Sequence, residues 1–260
     1  MNNLTCTSYV GRHAELYDLF YSEKPYAEEV AFIHKCIQQY APGSQRLLEL
    51  ACGTGTHSLL LEKHGYQIIA TDYSVDMLAC AREKAKMENS HVEFRQQDMR
   101  SLDVPEDPFD AIYCLFDSIG YVATNENILL VLRNIRDHLK PGGLLLFEFW
   151  HAAAMIRHYD PLRIRRWQVP DGEVIRISET TIDYKNQLCN VLYTIYEMNN
   201  NGTYSSMRET QVNRFFQVQE MELFLQQSDF TPLKWYSGFQ DNELINDETW
   251  HIVAVARKKG

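Results

Sequence analysis

The sequence has no paired-cysteine spacing, no long apolar run and no excess of basic charge. Its six cysteines stand at 6, 36, 52, 80, 114 and 189, with no CxxC pair or finger spacing among them, which speaks against a zinc module or a disulfide scaffold. Several fall inside apolar patterns, as buried free thiols do. No stretch reaches the roughly 18 apolar residues that span a bilayer. The first residues, MNNLTCTSYVGRH, lack the charged-then-apolar layout of a secretory leader. Lys and Arg number 25 against 35 Asp and Glu, a formal net charge of -10. Nonspecific nucleic-acid binding rests on neutralising phosphates, so that class is disfavoured. The nine histidines show no metal-ligand spacing, and no metal is expected. A soluble protein in a reducing, cytoplasmic compartment is the expectation.

What is present is a chain of 260 residues, 45% hydrophobic, enough for one large α/β domain with an insertion. Arg46 to Ser58, RLLELACGTGTHS, organises it. A short apolar run carrying Glu49 enters Gly53-Thr54-Gly55, and Leu59-Leu60-Leu61 then begins a helical pattern. Strand, glycine turn and helix in that order form the first unit of a doubly wound sheet. The dinucleotide-binding fingerprint would place a third glycine at 58, where Ser58 stands.

Strand and helix then alternate. Tyr66–Thr71 reads as a second strand ending at Asp72, and Ser74 caps a helix containing Met77, Leu78, Ala81 and Ala85. His91–Gln97 is a third strand, Asp110–Phe116 a fourth, and Leu144–Phe149 a fifth, with a helix from Thr124 to Leu139 before it. Upstream, Tyr26–Tyr40 has helical spacing, preceded by five aromatics from Tyr9 to Tyr26 that serve as a packing anchor or as a lid. After Trp150 the pattern turns strand-like, with runs at Glu173–Ile177, Gln187–Tyr196 and Met207–Phe215, and a hairpin signal at Asn199-Asn200-Asn201-Gly202. A helix over Glu220–Gln227 and closing strands at Leu233–Tyr236 and Trp250–Ala256 complete the chain. The expected fold is α/β, a Rossmann-like sheet with an antiparallel β insertion after the fifth strand. Residues 1–150 and 219–260 would form the core with an N-terminal lid segment. Residues 151–218 would cover an acceptor site.

Three acids then stand where open α/β sheets bind ligands, at the carboxyl ends of strands. Asp72 lies about 20 residues past the glycine turn, where an acid accepts from both ribose hydroxyls of a nucleoside. Glycine turn and Asp72 alone fit NAD as well as S-adenosylmethionine (SAM). Asp98 can accept from an adenine amino group while Met99 and Met77 flank the ring. Glu49, costly to bury inside a strand without partners, can orient the glycine loop or meet a ligand's ammonium.

Taken together, Leu47–Ser58, Asp72, Asp98-Met99, Phe109–Tyr121 and Leu139–Phe149 resemble, in order, the motifs of the class I SAM methyltransferases. Tyr17-Asp18-Leu19-Phe20-Tyr21 with Tyr26, Ala51–His57, Gln97–Arg100 and Ser118-Ile119-Gly120-Tyr121 resemble more narrowly the N,N-dimethyltransferases of dTDP-linked 3-amino-deoxyhexoses. This resemblance implies SAM as cofactor, with Tyr26 at its methionine end and Ala51, Gly53, Gly55, Tyr73 and Leu115 along it. It also implies that Tyr17 and Tyr121 face the acceptor. Asp117 stands where that group has a serine, which would put a charge on the acceptor side.

A neutral amine needs little activation once aligned, whereas a hydroxyl needs a base, for which Tyr121, His151 and Asp117 are the candidates. His57 is expected to cap the glycine turn. Arg163, Arg165 and Arg166 form either a solvated strand face or a pyrophosphate contact. The expectation is therefore a SAM-dependent methyltransferase of a small molecule, such as an amino sugar on a nucleotide, with no nucleic-acid or membrane partner and with a homodimer allowed. An O-methyltransferase of a small acid or alcohol is the alternative. A nicotinamide oxidoreductase and a non-catalytic SAM-binding protein are the rival classes.

Overall fold

A computed structural model describes residues 9–105, 108–241 and 243–260; Cys6 and the first part of the N-terminal stretch read above lie outside them. Two short helices, α1 (Arg12–Glu15) and α2 (Tyr17–Phe20), precede α3 (Tyr26–Tyr40). The core follows as β1 (Arg46–Leu50), α4 (Thr56–Glu62), β2 (Gln67–Asp72), α5 (Val75–Glu88), β3 (Glu93–Gln96), β4 (Phe109–Cys114), α6 (Asn125–His138) and β5 (Leu139–Trp150). Then come α7 (Ala152–His158), four strands β6 (Leu162–Val169), β7 (Gly172–Asp183), β8 (Leu188–Asn199) and β9 (Tyr204–Arg214), and finally α8 (Val218–Gln227), β10 (Phe230–Ser237) and β11 (His251–Lys258).

Seven strands form one sheet in the order β10-β11-β5-β4-β1-β2-β3. The strands β1 to β5 pair in parallel, as the alternation predicts. The closing strand β11 runs antiparallel between β5 and β10. Alternation along β1 sends Leu48 and Leu50 to one buried face and Leu47 to the other, each face covered by helices. Ser74 caps α5 as predicted and Thr124 caps α6, each side-chain oxygen accepting a backbone N–H three residues on.

The insertion is a separate antiparallel sheet ordered β6-β7-β8-β9, with the predicted hairpin joining β8 to β9. Helix α7, which strand-like periodicity did not reveal, separates it from β5. Strand β4 ends two residues earlier than predicted because Phe116 and Asp117 both adopt left-handed backbone, φ 59° and 53°. The turn that follows, residues 118–122, meets the insertion at Gly120. A Cβ there would fall 2.1 Å from Asn213 Oδ1 and 2.6 Å from the Arg214 carbonyl oxygen, so only glycine lets β9 dock so closely. The five described cysteines are free thiols, four buried and Cys80 partly so.

Candidate functional site

A cavity of about 390 Å³ opens at the carboxyl ends of the parallel strands, within the usual size of a small-molecule site. Its floor is the glycine turn. Gly55, at φ 76°, could not carry a side chain, since a Cβ would come 2.6 Å from the Phe94 ring. The Asp72 carboxylate ties this turn to the next helix, accepting from Gly53 N (2.8 Å) through one oxygen and from Ser74 N (2.8 Å) through the other. Burial pushes its pKa above the ordinary value, against the pull of these backbone donors. Ala51, Tyr73, Met77, Asp98 and Met99 line the same cavity. Asp98 is held by its neighbour Arg100, whose Nε lies 2.9 Å from Oδ1. Burial acts upward on Asp98, but the Arg100 contacts outweigh it and hold the carboxyl below its usual range.

A smaller recess of about 30 Å³ continues past the glycine turn, lined by Tyr17, Tyr26, Glu49, His57 and Leu115 among others. Glu49 is 2% exposed and accepts hydrogen bonds from Ser58 Oγ and from the Tyr113 hydroxyl (3.1 Å). Burial raises its pKa to about 7. Serine at the third-glycine position is therefore a partner for the strand acid, a role the fingerprint reading did not assign. His57 does not cap the turn: α4 starts from Gly55 with no side-chain cap, and His57 Nε2 instead lies 2.7 Å from Glu29 Oε2, with Glu29 paired to Lys24.

The opposite wall comes from the N-terminal segment, the turn at 118–122 and the insertion. Tyr9, Tyr17, Tyr121, Phe116, Thr210 and Val212 line it. The N-terminal segment is tied to core and insertion at once. Ser74 Oγ donates to the Tyr9 carbonyl (2.7 Å), Tyr9 N donates to Glu209 Oε1 (2.8 Å), and Thr54 Oγ1 donates to Asp18 (2.7 Å). In the sequence Tyr9 stands only as one of a run of aromatics, and Glu209 and Gln211 do not stand out at all. No signal marked them, because β9 alternates polar residues on both of its faces.

Two expected bases are not at the cavity. Asp117 is fully buried beneath the turn, where one carboxyl oxygen accepts from Trp150 N (2.8 Å), and burial pushes its pKa well above the ordinary carboxylate value. The left-handed backbone at 117 turns the side chain toward β5, so the expected extra charge on the acceptor side is absent. His151 is likewise buried, its Nδ1 3.1 Å from the Thr249 carbonyl oxygen. The Arg163–Arg166 run lies on β6, the strand at the far edge of the insertion sheet from β9, and lines neither cavity. Arg163 is 3.5 Å from Asp160 and Arg166 is 3.9 Å from Glu173.

The residues present fit a nucleoside with an amino-acid tail. Asp72 offers carboxylate oxygens, Met77 and Met99 give the cavity apolar lining, and Gly53 leaves open space that a Cβ would fill 3.3 Å from Met77 Cε. A family described as a methyltransferase domain matches residues 47–143. The Bacillus subtilis (strain 168) protein YqeM, a methyltransferase by name, is 30% identical over 88% of this chain and 90% of its own length. The dTDP-3-amino-3,4,6-trideoxy-alpha-D-glucopyranose N,N-dimethyltransferase of Streptomyces venezuelae is 35% identical, over 53% of this chain and 57% of its own. The crystal structure of an S-adenosylmethionine-dependent methyltransferase from Clostridium acetobutylicum ATCC 824 shares the fold. Its TM-score is 0.83 at 20% identity, covering 96% of this chain and 98% of that one. With the glycine turn, the strand-end acids and a match along nearly the whole length in agreement, the chain belongs to the class I SAM-dependent methyltransferases.

Proposed function

We propose that this enzyme methylates the nitrogen of a small neutral amine, an amino sugar carried on a nucleotide. The observation that carries the reading is the chemistry of the acceptor wall. Tyr9, Tyr17 and Tyr121 bring hydroxyls to it, each held well above its ordinary pKa chiefly by burial and therefore protonated. The two non-tyrosine bases, Asp117 and His151, lie outside the cavity lining. An alcohol acceptor would need a base to take its proton; a neutral amine carries its lone pair already. The similarity to an amino-sugar N,N-dimethyltransferase over about half the chain supports the same class.

SAM, when bound, supplies a methyl group on an electrophilic sulfonium. Asp72 would hold its ribose, Met77 and Met99 its adenine with Asp98 at the ring edge, and Tyr26 and Glu49 its methionine end. Tyr17 and Tyr121 would position the amine, and the buried aromatic wall would exclude water, so that alignment supplies most of the rate. The reading takes the enzyme as cytoplasmic and as a monomer or homodimer, to be checked by cell fractionation and sedimentation. Incubation with SAM and a dTDP-linked 3-amino-3,6-dideoxyhexose should give products carrying one and then two added methyl groups by mass spectrometry. Methylation confined to hydroxyl or carboxylate acceptors would overturn it.

A further inference from the structure

Behind Tyr9 and Tyr121 lies a hydrogen-bond chain with a fixed direction. It begins at Glu209 on β9, a buried side chain that points the same way as Gln211 two residues on. An ionised carboxylate only accepts. Glu209 Oε1 takes the Tyr9 backbone N–H (2.8 Å) and the Gln211 side-chain Nε2 (3.1 Å), and Oε2 lies 2.8 Å from His13 Nδ1. Burial would raise the Glu209 pKa, but His13 and the donors around it hold the carboxyl below its ordinary range. The Gln211 amide has one donor end and one acceptor end. With the donor end committed to Glu209, the carbonyl end is turned to the tyrosines. The Tyr9 hydroxyl donates to Gln211 Oε1 (3.0 Å), and the Tyr121 hydroxyl reaches the same oxygen at 3.3 Å. The two hydroxyl oxygens are 2.7 Å apart.

Each tyrosine has one hydroxyl proton, and both protons are taken by Gln211 or shared between the two rings. What remains to these two oxygens, carried by residues that both line the cavity, is lone pairs. We propose that Gln211, oriented by Glu209 and His13, fixes Tyr9 and Tyr121 as hydrogen-bond acceptors and thereby makes the acceptor site selective for an amine that carries N–H over an alcohol or a carboxylate. The inference rests on the amine reading above and deepens it. A primary amine offers two N–H donors to the two oxygens and keeps its lone pair for reaction. An alcohol offers one donor, and a carboxylate offers none and meets lone pairs with its own charge.

The same wall sets a stopping point. In each transfer the nitrogen lone pair becomes the new N–C bond as the S–C bond breaks, and the resulting ammonium loses one N–H proton to solvent water when it leaves the buried site. A primary amine thus passes through a secondary amine with one N–H to a tertiary amine with none. The dimethylated product has no donor left for Tyr9 or Tyr121 and is released. Gln211 and Glu209 act here as positioning residues, since the tyrosines make the contact.

The test is calorimetry on protein saturated with S-adenosylhomocysteine, using two probe pairs. One pair is dTDP-3-amino-3,6-dideoxyglucose and dTDP-6-deoxyglucose; the other, free of carrier, is cyclohexylamine and cyclohexanol. In each pair the neutral amine should bind about tenfold more tightly than the alcohol, the worth of one extra hydrogen bond. Gln211→Leu, and Glu209→Gln, which frees the amide to turn over, should bring that ratio close to one. Both should keep S-adenosylhomocysteine affinity, which shows that they are folded, and the loss in turnover should fall on the acceptor KM rather than on kcat. Equal binding of amine and alcohol by the wild type, or full discrimination kept by folded Gln211→Leu, would overturn the proposal. Amine preference in the carrier-free pair, lost in Gln211→Leu, together with no binding of either dTDP sugar, would sink the amino-sugar reading and leave the wall standing.

Discussion

The two sides of the cavity are held by hydrogen bonds of very different reach. On the cofactor side Gly53 and Asp72 are 19 residues apart, Ser58 and Glu49 are 9 apart, and Ser74 and Asp72 only 2. On the acceptor side Tyr9 bonds to Glu209 across 200 residues and to Gln211 across 202, and Tyr121 reaches Gln211 across 90. The floor around the glycine turn is thus built by neighbouring units of the parallel sheet, its longest tie being the 64 residues from Glu49 to the Tyr113 hydroxyl. The acceptor wall exists only once the N-terminal segment, the turn at 118–122 and the insertion have come together. Cofactor binding and acceptor binding should therefore fail separately under mutation, and that separation can be attacked from both sides.

The largest effect is expected at Asp72. Asp72→Ala removes acceptors for ribose together with two turn contacts, and SAM affinity should fall by about 1.5–3 kcal/mol, the usual worth of bonds to a charged group. Calorimetry would read it, and secondary structure by circular dichroism should be kept. Gly120→Ala attacks the other side. Its Cβ would collide with Asn213 Oδ1 and the Arg214 carbonyl, and moving β9 away should cost about 1–3 kcal/mol of stability, as overpacking does. Acceptor KM should rise while SAM affinity stays close to wild type; equal loss of both would break the comparison.

Glu49 gives a pH signature belonging to the cofactor side. Its folded pKa, about 7, lies above its ordinary value of 4.5. Between those values the folded state holds a proton that the unfolded state has lost, so this group's contribution to stability falls as pH rises from about 4.5 to about 7 and is level above that. In chemical denaturation without ligand, Glu49→Gln should flatten that slope. The smallest effect is expected at the latch between N-terminal segment and glycine turn, where Lys84 Nζ lies 2.8 Å from Asp18 Oδ2. Asp18 is half exposed, so Lys84→Met should cost about 0.2–1 kcal/mol. It should speed hydrogen exchange in residues 9–20, and S-adenosylhomocysteine should slow that exchange again if the segment closes over the cofactor.

Reach in sequence also decides what could be read before folding. Asp72, Asp98, Met77 and Gly53 were legible because strand-helix periodicity alone puts them at one edge of the sheet, and the cavity lining contains them, whereas Gly55 lines neither cavity. The two-sheet architecture followed from the change of pattern after Trp150. Asp117 was misplaced because its direction depends on two left-handed residues, and nothing in a non-glycine pair such as Phe116-Asp117 announces positive φ. Glu209 and Gln211 were invisible for another reason. Buried polar residues on a strand read as solvent-facing until the partners that satisfy them, here Tyr9 and His13, are brought in from the far end of the chain.

The central claim is that nitrogen is methylated at a wall that holds no base, and the pH dependence of kcat/KM tests it most directly. With an amino-sugar acceptor, activity should rise with pH until the bound amine is neutral and then level. Asp117→Asn, which keeps the acceptor for Trp150 N, and His151→Asn, which keeps a donor toward Thr249, should follow the same curve within a few-fold, as groups outside the reaction do. Loss of about 10²–10⁴-fold in either variant with SAM affinity intact is the mark of a removed catalytic base, and it would contradict the account.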